Sequence, residues 1–285
     1  MEEPKRPVEL VVISDIHLGT YGCRAEDLLR YLKSIKPKKI ILNGDIIDMW
    51  QFSKRYWPKS HMLIVKHITS LLAKGTEIVY VTGNHDEMLR KFVGFKLGSF
   101  SIENKVVLEL DNKKAWVFHG DVFDVTMQYS KWLAKLGAVG YDTLILLNTF
   151  VNFLLKTLGR GKISLSKRIK DSVKSAVKFI NDFENIAADI AIDNNYDYVV
   201  CGHIHHPQKK KIATDKGKVV YLNSGDWIEN LTSLEYNNGS WSIYNFADDL
   251  VAQSIKVNKK NNIILSNDEI FSDMVSEFLT TRVKS

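Results

Sequence analysis

Five short apolar, β-branched runs recur along the chain, and each ends in a cluster of polar side chains. Val11-Val12-Ile13-Ser14 leads into Asp15-Ile16-His17, and Ile40-Ile41-Leu42-Asn43 leads into Gly44-Asp45-Ile46-Ile47-Asp48. Ile78-Val79-Tyr80-Val81-Thr82 leads into Gly83-Asn84-His85-Asp86, Trp116-Val117-Phe118 into His119-Gly120-Asp121, and Tyr198-Val199-Val200-Cys201 into Gly202-His203-Ile204-His205. Runs of this length and composition predict buried strands. Loops at strand ends are where an α/β scaffold carries its chemistry.

Helical spacing fills the gaps between the first strands. Arg24 to Ile35 carries Leu28, Leu29, Leu32 and Ile35 on one side and is stopped by Pro37; His61 to Ala73 follows the same pattern, with Gly75 placed as a C-cap. The resulting β-α-β-α-β order implies parallel pairing with right-handed crossovers. Val106 to Leu110 and Ala115 to Phe118, separated by Asp111-Asn112-Lys113-Lys114, predict a hairpin appended to that sheet. From Val122 to about Asn194 the period is helical. Val219 to Tyr221, Leu231 to Tyr236 and Trp241 to Phe246 then resume the strands, with Asn237-Asn238-Gly239 as a hairpin turn. The expected organisation is one catalytic domain over 1–246 with a helical cap inserted at about 123–194. A polar tail over 247–285 carries a short amphipathic helix around Ile270 to Leu279 and is assigned no chemistry.

Composition narrows this picture only slightly. The 285 residues are 45% hydrophobic and 25% charged, as in an ordinary globular protein, with a formal net charge of +6. Met1-Glu2-Glu3-Pro4-Lys5 has no secretory-signal character, and the two cysteines, Cys23 and Cys201, have no paired spacing. A reducing cytoplasm is therefore expected. No apolar run reaches the roughly 18 to 20 residues that span a bilayer. Leu144 to Leu155 comes nearest, interrupted by Asn148, Thr149 and Asn152, and suits a membrane surface or a lipid pocket.

The polar clusters change the picture most. Metal-assisted hydrolysis of a phosphate ester needs two cations roughly 4 Å apart, a carboxylate that bridges them, and nitrogen or oxygen ligands in the remaining positions. Asp15 and His17 can turn toward one ion. Asp45 is the natural bridge, because the glycine before it lets the backbone approach closely. Asn84 offers an amide oxygen and His119 a nitrogen, while His203 and His205 alternate so that one faces each ion. Any one of these clusters alone is an ordinary turn or core histidine; five in series, each directly after a strand, point to a metal centre. His61, His67 and His206 lie outside the clusters and are read as structural.

At this point the chain resembles the calcineurin-like metallophosphoesterase superfamily. Its signature of Asp-x-His, Gly-Asp-x-x-Asp, Gly-Asn-His-Asp/Glu, His and Gly-His-x-His is matched at every element between roughly residues 8 and 236. The resemblance implies an α/β fold, a four-layer α/β/β/α sandwich with both metals at the strand ends. It assigns Asp15, His17, Asp45 and His205 to one ion and Asp45, Asn84, His119 and His203 to the other. Mn²⁺ is the expected metal, with Fe, Zn or Co also accommodated by such ligands. Beside Asn84, His85 is the expected acid or charge stabiliser at the leaving group, with Asp86 placed to orient it. Asp48 and Asp121 are read either as hydrogen-bonding partners of the ligands or as purely structural acids.

The substrate has to be argued from the insertion. It carries an apolar stretch from Trp132 to Leu155 and a basic one from Lys156 to Lys178. Together these suit a substrate with acyl chains and a phosphate head group, or docking on an anionic bilayer. The alternative is an ordinary core-packing face beside solvated lysines. No aromatic side chains interleave with the lysines, so nucleic acid is not expected. The order of elements is similar to the UDP-2,3-diacylglucosamine diphosphatase branch of lipid A synthesis. That resemblance implies cleavage of the substrate's pyrophosphate to UMP and 2,3-diacylglucosamine 1-phosphate, under the cap, at the cytoplasmic face of the inner membrane. Ser166 and Lys174, with Asn84, are the positions it assigns to substrate, and no obligate protein partner is implied. Well-known members have arginine where this chain has His85. A paralogue acting on a related lipid or nucleotide diphosphate, a broader phosphodiesterase, and a non-catalytic scaffold remain the alternatives.

Overall fold

A computed structural model describes residues 5–51, 56–123, 166–255 and 267–282. The first strands obey the parallel order. β1 (Arg6–Ile13), β2 (Ile35–Asn43) and β3 (Glu77–Val81) lie side by side in register, with α1 (Ala25–Ser34) and α2 (Lys59–Ala73) as the crossovers. Pro37 lies inside β2, opposite Val8, where β3 has not yet begun to pair and no ladder bond from its nitrogen is needed. Beyond β3 come β5 (Phe100–Glu103) and β4 (Lys96–Leu97), and the finished sheet runs β12-β11-β1-β2-β3-β5-β4, where β11 is Thr232–Asn237 and β12 is Ser240–Asn245.

A second sheet has the order β6-β7-β8-β10-β9, formed by Lys105–Leu110, Lys113–Phe118, Tyr198–Cys201, Gly217–Asn223 and Gln208–Thr214. The β6–β7 hairpin therefore belongs to this sheet and is not appended to the first. Its expected place beside β3 is taken by β5 and β4, two short strands without a clear apolar alternation, and β7 pairs instead with β8 in parallel. The turn is also tighter than the sequence suggests. Asp111 and Asn112 both adopt left-handed φ, +48° and +62°, and Lys113 and Lys114 join the strand.

Alternation along β1 explains how the layers pack. Val11 and Ile13 join Leu28, Leu32 and Ile64 in a core between the first sheet and its helices, whereas Leu10 and Val12 join Val117, Val200 and Leu222 in a core between the two sheets. Both faces of the central strands are buried, which is why their sequences read as continuous apolar runs. This is the expected α/β/β/α sandwich.

The compact unit formed by 1–120 and 187–285 contains both sheets, and 121–186 form a second unit. A short 3₁₀ turn, Asp121–Phe123, and the first part of the helix α3 (Ser166–Asp193), whose last residues from Ala187 on belong to the first unit, are described in the second unit, with the Phe123 and Phe183 rings in edge contact at 5.4 Å. The apolar stretch Trp132 to Leu155 lies outside the described residues, and the side chains of Ser166 and Lys174 do as well. No helix among the described residues is long and apolar enough to cross a membrane.

After a short helix, α4 (Leu250–Ser254), the tail returns as α5 (Asn267–Arg282) and lies against α2. Lys66 pairs with Asp273, Asn267 Nδ2 donates to the Trp57 carbonyl at 3.1 Å, and Ile270 is 1% exposed. Burial of Ile270 and not the exposed ion pair should hold this helix. Ile270→Ala is expected to cost about 2–4 kcal/mol in denaturant unfolding, and Lys66→Ala less than about 1 kcal/mol.

Candidate metal centre

The C-terminal ends of β1, β2, β3, β7 and β8 converge, and the side chains singled out in their loops meet there. The β1 and β2 loops remain laced past the strands: Asp15 N–H donates to the Gly44 carbonyl at 3.1 Å, His17 N–H to Asp45 at 2.9 Å, and Leu18 N–H to Ile46 at 2.9 Å. Five residues of the centre, Asp15, His17, Asp45, His203 and His205, have φ between +51° and +68°. This left-handed region is unfavourable for side-chain-bearing residues, and its concentration in one place marks a site where geometry outranks backbone comfort. Gly44 and Gly83 are required by space. A Cβ at Gly44 would strike the His119 ring, and one at Gly83 would strike Asp45.

Two aspartates anchor the centre in the same way. Asp15 Oδ2 accepts the His203 N–H at 3.0 Å, leaving Oδ1 to face His205 Nε2 at 3.1 Å and His17 Nε2 at 4.0 Å. Asp45 Oδ1 accepts the His85 N–H at 2.8 Å, leaving Oδ2 to face His119 Nε2 at 3.2 Å and His17 Nε2 at 3.9 Å. Ligand-type atoms thus gather in three groups among the described residues: Asp15 with His17 and His205, Asp45 with His119 and His203, and His17 with Asp48 and His85. The first two of these gather three of the four residues that the resemblance assigns to each ion, with His17 close to both aspartates.

These groups fit divalent cations. His119 Nδ1 donates to the Asn43 carbonyl at 2.8 Å, so its Nε2 lone pair points at the Asp45 carboxylate. Two acceptor atoms at that separation require a cation, either a proton or a metal ion, between them. Buried His17 Nε2 and Asn84 Oδ1 also lack any hydrogen-bond partner among the described residues, an expensive condition that coordination would relieve.

Charge follows the geometry. Burial pushes the Asp15 carboxyl up, but the charge and hydrogen bond of His205 outweigh it and bring it down to about 2. Burial likewise disfavours charged His205, and Asp15 overcomes this, raising it to about 9. Asp45 is held below the usual carboxylate range because His119 and His17 outweigh its burial.

Asp86 does not orient His85. It is fully buried, and its carboxylate accepts the Gly83 N–H at 2.5 Å, the Ile46 N–H at 3.0 Å and the Tyr80 hydroxyl at 2.6 Å, so every contact goes to the loop framework. The partner of His85 is Asp48. Its Oδ2 lies 3.0 Å from His85 Nδ1 and 3.4 Å from His17 Nδ1, while Oδ1 accepts the Trp50 and Gln51 N–H groups. Burial lowers the His85 pKa, but the hydrogen bond to Asp48 and the surrounding carboxylates raise it overall. Asp121 begins the second unit, half-buried, in its 3₁₀ turn.

Several contributors were not singled out in the sequence. The Trp50 ring lies tilted against that of His85, with ring centroids 4.1 Å apart and planes at 35°. After β10, Ser224 bonds Ser14 at 2.7 Å, and Asn230 Nδ2 donates to the His205 carbonyl at 3.0 Å. Asn223-Ser224-Gly225-Asp226 follows the apolar run Val219 to Leu222 in the same manner as the other polar clusters, and that was the signal available. His61, read as structural, has Nδ1 accepting the Gly19 N–H at 3.0 Å and so supports the loop after His17.

The chain belongs to the calcineurin-like phosphoesterase family, whose model matches residues 8–207. It is a metal-dependent hydrolase, and that family works through divalent metal ions. Among curated relatives, UDP-2,3-diacylglucosamine hydrolase of Blochmanniella pennsylvanica is 26% identical over 271 residues, covering 90% of this chain and 95% of the relative. The Aliivibrio fischeri protein of the same name is 20% identical over 240 residues, covering 82% and 97%, and that of Escherichia coli O6:H1 is 22% identical over 223 residues, covering 75% and 89%.

Asp86→Ala leaves three donors unsatisfied and should destabilise the protein by about 3 kcal/mol or more, whereas half-buried His85→Ala should stay within about 1 kcal/mol of wild type; chemical denaturation of both variants checks this. His61 is buried neutral, and burial pulls its pKa from 6.5 to about 4. The unfolded chain therefore binds the proton first, and stability falls as pH drops from 6.5 toward 4, then levels off. His61→Gln should flatten that part of the melting-temperature profile relative to wild type.

Proposed function

We propose that this protein is a dinuclear phosphohydrolase that cleaves the pyrophosphate of UDP-2,3-diacylglucosamine, or of a closely related lipid-linked nucleotide diphosphate, giving UMP and the acylated sugar 1-phosphate. The observation that carries the dinuclear reading is the pair of ligand groups at Asp15/His17/His205 and Asp45/His119/His203, with His17 Nε2 4.0 Å from Asp15 and 3.9 Å from Asp45. Asp15, His17, Asp45 and His205 would hold one ion, and Asp45, Asn84, His119 and His203 the other, with Asp45 shared. Mn²⁺ is the metal assigned. When bound, two such ions supply an activated water near neutral pH and polarise the phosphoryl oxygens.

The chain's own residues supply the rest. Asp15 and Asp45 each keep one oxygen on a backbone N–H and direct the other inward, which fixes their orientation before any ligand arrives. Asp48 sets the tautomer of both His17 and His85: a proton on each Nδ1 faces the carboxylate and leaves Nε2 for the centre. His85, favoured in its charged form by that partner, is placed to stabilise negative charge or to give a proton to the leaving oxygen. Histidine in place of the arginine of well-known relatives keeps the cation but exchanges bidentate phosphate binding for proton donation.

The lipid-linked substrate rests on the relatives, three proteins named UDP-2,3-diacylglucosamine hydrolase that this chain matches over most of its length. It also rests on the apolar and basic stretches of the insertion. Ser166 and Lys174 are the substrate residues proposed in that insertion, and Asp121 a polar partner near His119 in sequence. The catalytic domain with an inserted cap and the cytoplasmic, membrane-peripheral location belong to the same proposal.

Product analysis with Mn²⁺ tests it. The expected result is release of UMP from UDP-2,3-diacylglucosamine much faster than turnover of a small aryl phosphodiester; turnover of the small ester alone would reject the lipid substrate and keep the chemistry. Asp45→Ala should reduce turnover by at least about 10³-fold and lower the metal content of the purified protein. Full activity in that variant would reject the shared-ligand assignment.

A further inference from the structure

The loop that supplies Asn84, His85 and Asp86 continues into a segment whose exposure is out of keeping with its composition. From Arg90 to Ser99 ten consecutive residues are exposed. Within and just before them Met88 is 54% exposed, Phe92 55%, Phe95 46% and Leu97 41%, with Val93 at the same level of exposure as an ordinary surface residue. A cluster of large apolar side chains this dense on the surface of a folded unit marks a contact site.

The segment is held in a defined shape. Glu87–Phe92 form a 3₁₀ turn, Phe95 N–H donates to the Phe92 carbonyl at 2.9 Å, and Gly94 N–H and the Phe95 carbonyl both pair with Ile102 of β5. Arg90 reaches back to the Gly83 carbonyl at 3.4 Å, tying the segment to the loop of the metal centre. The apolar side chains are therefore presented by a braced structure at the β4 end of the first sheet.

Charge selects among the surfaces that such a segment could meet. Lys91 and Lys96 sit among the aromatic residues with Arg90, and Glu87 is the only acid from 87 to 97. Aromatic and aliphatic side chains interleaved with lysines match a boundary between acyl chains and anionic head groups: the rings enter the interface and the amines remain at the phosphates. A second protein edge strand is a poorer match, because β4 offers only two residues to pair.

We infer that the segment Glu87–Leu97 docks the protein on an anionic lipid bilayer, through Met88, Phe92, Phe95 and Leu97 in the interface and Lys91 and Lys96 at the head groups. This deepens the proposed function, on which it rests for its biological sense, since a lipid-linked substrate would be drawn from the same surface into a centre attached to the docking loop. Docking would place the loop of Asn84 and His85 next to the membrane.

Co-sedimentation of the full-length protein with vesicles tests the inference, using phosphatidylglycerol and phosphatidylethanolamine in one set and phosphatidylcholine alone in the other. The wild type is expected to bind the anionic vesicles and to be released by high salt. Phe92→Ser/Phe95→Ser and Lys91→Glu/Lys96→Glu should each lower binding by about tenfold or more. Both should retain the wild-type melting temperature and the wild-type rate on a water-soluble aryl phosphodiester, because these side chains are exposed and outside the metal centre. Undiminished vesicle binding by the phenylalanine variant would overturn the inference. So would a wild-type dimer that this variant converts to a monomer, since the patch would then be a subunit contact. The vesicles contain no nucleotide substrate, so loss of the substrate reading in the product assay and loss of the docking surface here are separate results.

Discussion

Two buried carboxylates divided between backbone and open centre hold this molecule's chemistry in place. Asp15 and Asp45 sit at the ends of neighbouring parallel strands, and their mutual repulsion in a buried setting would be costly without surrounding histidines. Each spends one oxygen on an N–H from another loop, Asp15 on His203 and Asp45 on His85. Those two bonds cross from β1 to the β8 loop and from β2 to the β3 loop, so the acids that would carry metal also join loops from both sheets. The electrostatic cost of the centre and the mechanical integrity of its loops are therefore one problem with one solution.

Backbone strain belongs to the same solution. Five ligand-type residues with left-handed φ would each prefer to relax, and they do not, because the flanking strands and the Asp15–Gly44 and His17–Asp45 backbone bonds fix the chain on either side. The framework beneath is kept rigid by Asp86, which collects donors from Gly83, Ile46 and Tyr80. Asp48 then works one layer nearer the centre, touching His17 and His85 together. Two acids in adjacent motifs thus have distinct tasks, one architectural and one directed at histidines.

The β3 loop links the centre to the surface. Its first residues face the two ligand groups, and its continuation displays Phe92 and Phe95 beside lysines, with Arg90 bonded back to Gly83. If the proposed lipid-linked substrate and docking surface hold, the surface that would meet the bilayer and the loop that would meet the phosphate are parts of one braced segment.

The amino-acid sequence by itself determined the five strand ends, the parallel β-α-β core and the candidate ligand residues that meet at those ends. Buried parallel strands leave unbroken apolar runs, and metal ligands must be of a few residue types at strand ends. It also placed a helix near Ile270. Only the tertiary structure decided what depended on distant partners. The β6–β7 hairpin joined the second sheet because β4 and β5, whose sequences carry little alternation, already closed the edge beside β3. Asp48 and not Asp86 became the partner of His85, since adjacency in a motif does not say which way a buried carboxylate turns. Trp50 and Ser224 entered the site, and Phe92 and Phe95 remained outside the core, because a sequence records how apolar a residue is and the packing of remote elements decides whether anything covers it.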